Sequence, residues 1–273
     1  MFSYREGNIQ AGKVNIHYYR TGGIKPPFIL LHGATDNGLC WTRTAEMLTH
    51  DYDVVMPDAL GHGLSDRFSD DTISMNSADE VAALIKELSL KKPIIMGHSM
   101  GAGTAANLAA KYPSLPGAII LEDPGWGMPP AANNPEARKQ AEVMRASMAN
   151  FHNLSLEELL KDSRKRDPSW DEEERLPWAK AKQQFDPSLF SRMMINQQPY
   201  TEIIPKIKCP TLLICAEKGI VTRDIAENAV RLWASNKPFK WVMIKGAGHN
   251  IRRERFSEFY KAVTDFLKDF KAK

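Results

Sequence analysis

At 273 residues with 43% of them hydrophobic, the chain can bury the core of one large α/β domain, or of a domain carrying an insertion. A balance of 36 basic against 33 acidic residues leaves a net charge of +3, and both signs are interleaved, as over Asp162 to Arg175, so a nucleic-acid surface is not expected. No apolar run approaches the roughly 18 residues of a membrane span, and Met1 to Glu6 lacks a secretory leader's apolar stretch, so the simplest expectation is a cytoplasmic protein independent of membranes.

In chain order, Ser3 to Gln10 and Lys13 to Arg20 mix polar and apolar residues on either side of Ala11-Gly12, which predicts an exposed antiparallel hairpin at a sheet edge. Apolar runs follow at Phe28 to Leu31, Tyr52 to Met56, Pro93 to Met96, Ala118 to Leu121, Thr211 to Cys215 and Trp241 to Ile244. Most are continuous rather than alternating, the pattern of strands covered on both faces by helices. The fold class expected is α/β, a mostly parallel sheet of eight strands.

Between the strands, Ser77 to Leu88 lines up Ala78, Val81, Ala82 and Ile85, with Ser77 or Asp79 available to cap the helix. Met100 to Lys111 is dense in Gly and Ala, which lets a helix approach the sheet closely. Arg255 to Phe270 spaces Phe259, Val263, Phe266 and Phe270 by three or four, as a closing helix does. The alternation breaks after Leu121: Pro124, Pro129, Pro130 and Pro135 open a segment without strand character that runs to about Pro205. Candidate helices there cover Pro135 to Phe151 and Ser155 to Arg166, followed by Trp170, Trp178, Phe185, Phe190 and Tyr200. The expected organisation is a core in two parts, 1–126 and 206–273, around a helical cap at 127–205. Cys40, Cys209 and Cys215 are too few and too far apart for a disulfide framework or zinc site, and are expected as buried thiols.

Chemistry concentrates at Gly97-His98-Ser99-Met100-Gly101, directly after a strand and ahead of a helix. A sharp turn between the two exposes the serine hydroxyl, and side chains at the flanking glycines would crowd it. Serine needs a base, and His249, in the loop between the last strand and the closing helix, is positioned at the same sheet edge. The oxyanion needs fixed donors. The backbone N–H groups of Ala34, in the loop after Phe28 to Leu31, and of Met100 are expected to supply them, while His32 is expected to hold its loop by a hydrogen bond.

His32-Gly33, the segment Asp58 to Asp66 containing Gly61-His62-Gly63, the turn at Ser99, and Gly248-His249 together resemble the α/β-hydrolase superfamily over almost the whole chain. The resemblance implies hydrolysis of an ester, lactone or amide; branches acting on epoxides or carbon–halogen bonds carry aspartate where Ser99 stands. It implies a structural role for the loop around His62. It also implies a triad acid, and the commonest position for one, after the strand Thr211 to Cys215, is Gly219 here. Part of the superfamily places the acid after the preceding strand, where this chain has Glu122-Asp123-Pro124. Neighbouring strand residues point oppositely, and Pro124 predicts an extended exit, which favours Asp123; Glu217, Glu122 and Asp224 stay as alternatives.

Trp126, Met148, Phe151 and Trp178 are expected to line an apolar substrate pocket, with Met193 and Met194 as adaptable lining. The function read from these residues is a serine esterase or lactonase acting on a small-molecule substrate without metal or cofactor. Two rivals are a carbon–carbon bond hydrolase, with Arg138, Arg145 or Arg192 recognising a carboxylate, and a ligand receptor that keeps the hydrolase shell. Oligomeric state is not written in the sequence.

Overall fold

The computed structural model describes residues 4–72, 76–127, 150–188 and 198–271, together with 139, 142, 143, 146 and 148. Most of the helix expected over 135–151 lies outside them, as do Pro129, Pro130, Pro135, Arg138, Arg145, Phe190, Arg192, Met193 and Met194.

Eight strands form one sheet: β1 (Arg5–Ala11), β2 (Val14–Arg20), β3 (Pro27–Leu31), β4 (Asp53–Pro57), β5 (Ile94–His98), β6 (Ala118–Glu122), β7 (Thr211–Lys218) and β8 (Phe239–Gly248). Their order across the sheet is β1-β2-β4-β3-β5-β6-β7-β8. The β1–β2 hairpin and the β2–β4 pair are antiparallel, and every pair from β4 to β8 is parallel. The expected hairpin is therefore present, but β2 is not wholly exposed, because Val14, Ile16, His17 and Tyr19 are buried.

Five of the six apolar runs are buried on both faces with a period of two; the sixth, Trp241 to Ile244, lies on the edge strand β8 and is half-buried at Trp241, Val242 and Met243. Ile29, Leu31, Val55, Ile95, Ile119, Leu121, Leu213 and Cys215 face one core cluster. Phe28, Leu30, Val54, Met56, Ile94, Met96, Ile120, Leu212 and Ile214 face the other. Strands that must present apolar side chains to helices on both sides have no polar positions left to alternate with. All three cysteines are buried and free. Among the described residues, no helix is long and apolar enough to cross a membrane.

Among the described residues the α-helices with defined bounds are α1 (Thr42–Leu48), α2 (Ser77–Glu87), α3 (Met100–Lys111), α4 (Leu156–Arg166), α5 (Glu172–Lys182), α6 (Tyr200–Ile203), α7 (Arg223–Leu232), α8 (Ile251–Glu254) and α9 (Phe256–Lys271). Helix α2 is capped by Asn76, whose side chain accepts the Ala78 N–H at 2.8 Å, so the cap lies one residue before Ser77. Leu84 rather than Ala82 completes its buried stripe. In α3, Ala102, Ala105, Ala106, Leu108 and Ala109 are fully buried. Helix α4 opens with a reciprocal cap, the Ser155 hydroxyl on the Glu158 N–H and the Glu158 carboxylate on the Ser155 N–H. Between β6 and β7, α4 and α5 bury Phe151, Leu159, Trp170, Trp178, Ala179 and Phe185 in a small core of their own. That core rests on Ala34 and Met100, at the C-terminal ends of β3 and β5.

Candidate active site

Ser99 stands between β5 and α3 with φ 53° and ψ −112°, a left-handed backbone that costs a non-glycine residue about 1–3 kcal/mol. Two close approaches enforce it. A Cβ at Gly101 would overlap the Leu31 carbonyl, and one at Gly97 would overlap the backbone of Gly101. The turn is pinned to the next strand by the Ser99 N–H, which donates to the Glu122 carbonyl at 2.9 Å. Among the described residues the Ser99 hydroxyl has no hydrogen-bond partner.

Asp123 and His249 also follow strand ends, those of β6 and β8. The imidazole Nδ1 lies 2.6 Å from Asp123 Oδ2. That carboxylate is fully buried and also accepts the N–H groups of Ile220, at 2.9 Å to Oδ2, and Val221, at 2.9 Å to Oδ1. The imidazole is accordingly the donor through Nδ1, which leaves Nε2 as an acceptor. Asp123 does not leave its strand extended: its φ is 41°, and the chain bends there. The proline rule disfavours right-handed helix before Pro124 but leaves the left-handed region open, and an aspartate tolerates it.

Gly219, where the commoner acid would stand, has an equally definite role. A Cβ there would lie 2.5 Å from Asp123 Oδ2 and 2.7 Å from Oδ1. The carboxylate of Asp123 fills the space that a side chain at 219 would take. The alternative acids are engaged elsewhere or point away. Glu122 is fully buried and accepts the Arg252 N–H at 2.9 Å; exposed Glu217 accepts the Gly246 N–H at 2.8 Å; Asp224 is exposed in the first turn of α7.

His98, the residue before Ser99, was not singled out by the sequence. Its Nε2 donates to the His249 carbonyl at 3.0 Å, so the serine turn and the histidine loop are joined directly. Burial holds its imidazole well below the usual pKa, with Arg252 adding to the effect. Glu254 secures the same loop from the other side, accepting the Gly248 N–H at 2.5 Å and the Asn250 N–H at 3.3 Å.

After β3, residues 33–36 form a turn closed by the Asp36 N–H on the Gly33 carbonyl at 3.2 Å. Neither the Ala34 nor the Met100 N–H donates to another described residue. His32 donates from Nδ1 to the Gly33 carbonyl at 2.8 Å and accepts the Ala59 N–H at 3.0 Å. His62 donates to the Leu60 carbonyl at 3.1 Å and accepts the Thr35 N–H at 3.3 Å. Burial lowers both, His62 to about 3, so each is a neutral strut between loops.

Six buried charges sit behind this edge. Asp36 meets Lys182 at 2.8 Å, Arg253 at 2.9 Å and Arg252 at 3.4 Å; Arg252 meets Glu122 at 3.3 Å, and Arg253 meets Glu174 at 3.5 Å. Burial alone would raise the Asp36 carboxyl, but Arg253, Lys182 and Arg252 hold it well below the usual carboxylate range. The guanidinium of Arg252 stacks 4.1 Å over Trp41 and that of Arg253 lies 4.8 Å over Trp170.

Of the expected pocket residues, Met148, Phe151 and Trp178 gather in the small core that touches Ala34 and Met100. Trp126 does not join them: it stacks on Tyr200 at 5.5 Å and packs against the main core. A separate cavity between α2, α3 and the loop after β4 is lined by Leu31, Ser77, Glu80, Thr104 and Met100, among others, but not by Ser99, Asp123 or His249.

A family profile described as alpha/beta hydrolase fold matches residues 26–252. Over 270 residues the chain is 27% identical to N-formylmaleamate deformylase of Pseudomonas putida, spanning 96% of each protein. The crystal structure of E-2-(acetamidomethylene)succinate hydrolase is similar with a TM-score of 0.79 at 19% identity, over 97% of this chain and 100% of that one. The enol-lactonase from Burkholderia xenovorans LB400 gives a TM-score of 0.73 at 20% identity, over 96% and 100%. At these identities the two structural likenesses speak for the fold.

Proposed function

Since the chain belongs to the alpha/beta hydrolase family, we propose that it is a serine hydrolase that transfers the acyl group of a small to medium, largely apolar ester or lactone to water. The observation that carries this reading is the buried Asp123 carboxylate on His249 Nδ1 at 2.6 Å, beside a serine turn tied to the same histidine through His98.

In the proposed reaction Ser99 Oγ attacks the acyl carbon while His249 Nε2 takes the hydroxyl proton. Asp123 fixes the tautomer and stabilises the imidazolium. The Ala34 and Met100 N–H groups receive the charge on the carbonyl oxygen, Met100 with the help of the positive end of α3. Protonated His249 then gives its proton to the leaving alkoxide. Water, deprotonated by the same nitrogen, attacks the acyl-enzyme; the Ser99 Oγ–acyl bond breaks, the acid leaves, and His249 returns the proton to Ser99 Oγ. In a lactone the leaving hydroxyl remains attached to the acyl chain.

The helical insertion is proposed as a cap. Phe151, Trp178 and Met148 above Ala34 and Met100 support an apolar acyl group under a roof that limits water. A second reading, cleavage of an acyl C–N bond, is favoured by the full-length similarity to a deformylase. The same groups serve it, with the proton going to a leaving nitrogen.

A fluorophosphonate probe, an aryl ester panel, a lactone panel and N-formyl amides test these readings. Labelling of the wild type that Ser99→Ala abolishes, with ester or lactone turnover, is expected. Turnover of N-formyl amides alone moves the reading to the C–N bond, and absence of labelling in folded protein removes the catalytic serine.

A further inference from the structure

Among the described residues, one charged side chain of the insertion hydrogen-bonds to the turn at residues 33–36. Lys182, at the end of α5, is 4% exposed. Its Nζ donates to the Thr35 carbonyl at 2.9 Å, to Thr35 Oγ1 at 2.8 Å and to Asp36 Oδ1 at 2.8 Å. Three acceptors around one ammonium use all three of its hydrogens. The residue it grips is strained: Thr35 has φ 63°, at the third position of a turn where glycine or asparagine is favoured and a β-branched side chain is costly. The same turn carries the Ala34 N–H at its second position. The far end of the network, Arg252 and Arg253 on Asp36, starts three residues after His249.

We propose that Lys182 is a positioning residue for the oxyanion site: by clamping Thr35 and Asp36 in a left-handed turn, it aims the Ala34 N–H at the developing oxyanion. This rests on the serine hydrolase reading above. The competing view is that Lys182 only fastens the insertion to the core. The two differ in what is lost, since a fastening role affects folding and substrate binding, whereas an aiming role affects the transition state.

The test uses the full chain, p-nitrophenyl acetate as substrate, butylboronic acid as tetrahedral analogue and butyrate as ground-state ligand. Removing a whole oxyanion donor costs about 10²–10³-fold in kcat; Lys182→Met, which misaims one donor, is expected to lower kcat by about 10–100-fold. KM and butyrate affinity should hold within about 2-fold, and the boronate inhibition constant should rise by the factor lost from kcat/KM. Lys180→Met, on the exposed side of the same helix, should change neither. Thr35→Val, which deletes one acceptor without touching any charge, should lower kcat by about 5-fold with a matching rise for the boronate. It supplies the readout if Lys182→Met does not fold.

Unchanged kcat in both variants, or a loss in kcat with no rise in the boronate constant, overturns the proposal while leaving the serine reading intact. A wild type that neither reacts with fluorophosphonate nor turns over substrate overturns both.

Discussion

Substituting Gly219 by alanine puts a methyl group where the Asp123 carboxylate now lies. The new Cβ would stand 2.5 Å from Oδ2, the oxygen that accepts from both His249 and Ile220. Carbon and oxygen come to rest at about 3.3 Å, so the carboxylate would have to retreat by about 0.8 Å. It has little room, because Asp123 is fully buried and its other oxygen is held by Val221. A displacement near 1 Å at a reacting group costs roughly 10²-fold, and full loss of the orienting acid about 10⁴-fold. The expected fall in kcat therefore lies between about 10² and 10⁴, or about 2.7 to 5.4 kcal/mol of transition-state stabilisation. Ester turnover and thermal melting would be measured together with the downfield proton resonance of His249 Nδ1–H, which should move or vanish. A folded Gly219→Ala protein with kcat within threefold of the parent would refute the assignment of Asp123 as the orienting acid.

Gly101→Ala should destabilise by about 3 kcal/mol or more by urea unfolding, because its Cβ meets the Leu31 and His32 carbonyls, which belong to the core sheet and its loop. Arg252→Met should cost about 3–5 kcal/mol by leaving the fully buried Glu122 without its cation, and adding Glu122→Gln should recover part of that loss. Burial raises the Glu80 carboxyl from 4.5 to about 7. The folded state then holds a proton that the unfolded chain has lost between those values, so this group's stabilising contribution declines from pH 4.5 upward and is gone above about 7. The decline amounts to about 3 kcal/mol. Glu80→Gln should gain on the wild type by that much between pH 4.5 and 8, measured by urea unfolding at both ends.

The strands were legible because double-sided burial leaves no polar positions in Phe28 to Leu31 or Ala118 to Leu121. The serine turn was legible because Gly97 and Gly101 are sterically required. Gly219 and Asp123 informed each other, since the absence of an acid at one strand end directs attention to the next. The bend at Asp123 was not legible, because the proline rule excludes one backbone region without choosing between the others. Trp126 packs on Tyr200 rather than with Met148, Phe151 and Trp178, a grouping that three residues of chain separation from Asp123 could not indicate. The helix pattern pointed to Ser77 or Asp79 as the cap and passed over Asn76, an equally good cap residue directly before them.

The six-charge network was missed for a different reason. Lys182 and Glu174 lie in a helix whose composition, Glu-Glu-Glu-Arg and Lys-Ala-Lys, reads as a solvated face. Their partners are distant in sequence, and the nearest signal was Arg252-Arg253 directly after the histidine loop.

The network also divides along the seam between insertion and core. Asp36, Glu122, Arg252 and Arg253 come from the core and are formally neutral as a set; Glu174 and Lys182 come from the insertion and are formally neutral as a pair. Each contributor is electrically self-contained before they meet. In descent, or in a laboratory chimera, the pair would have to be inherited or discarded together, since an insert bringing only one of them would strand a charge inside the protein.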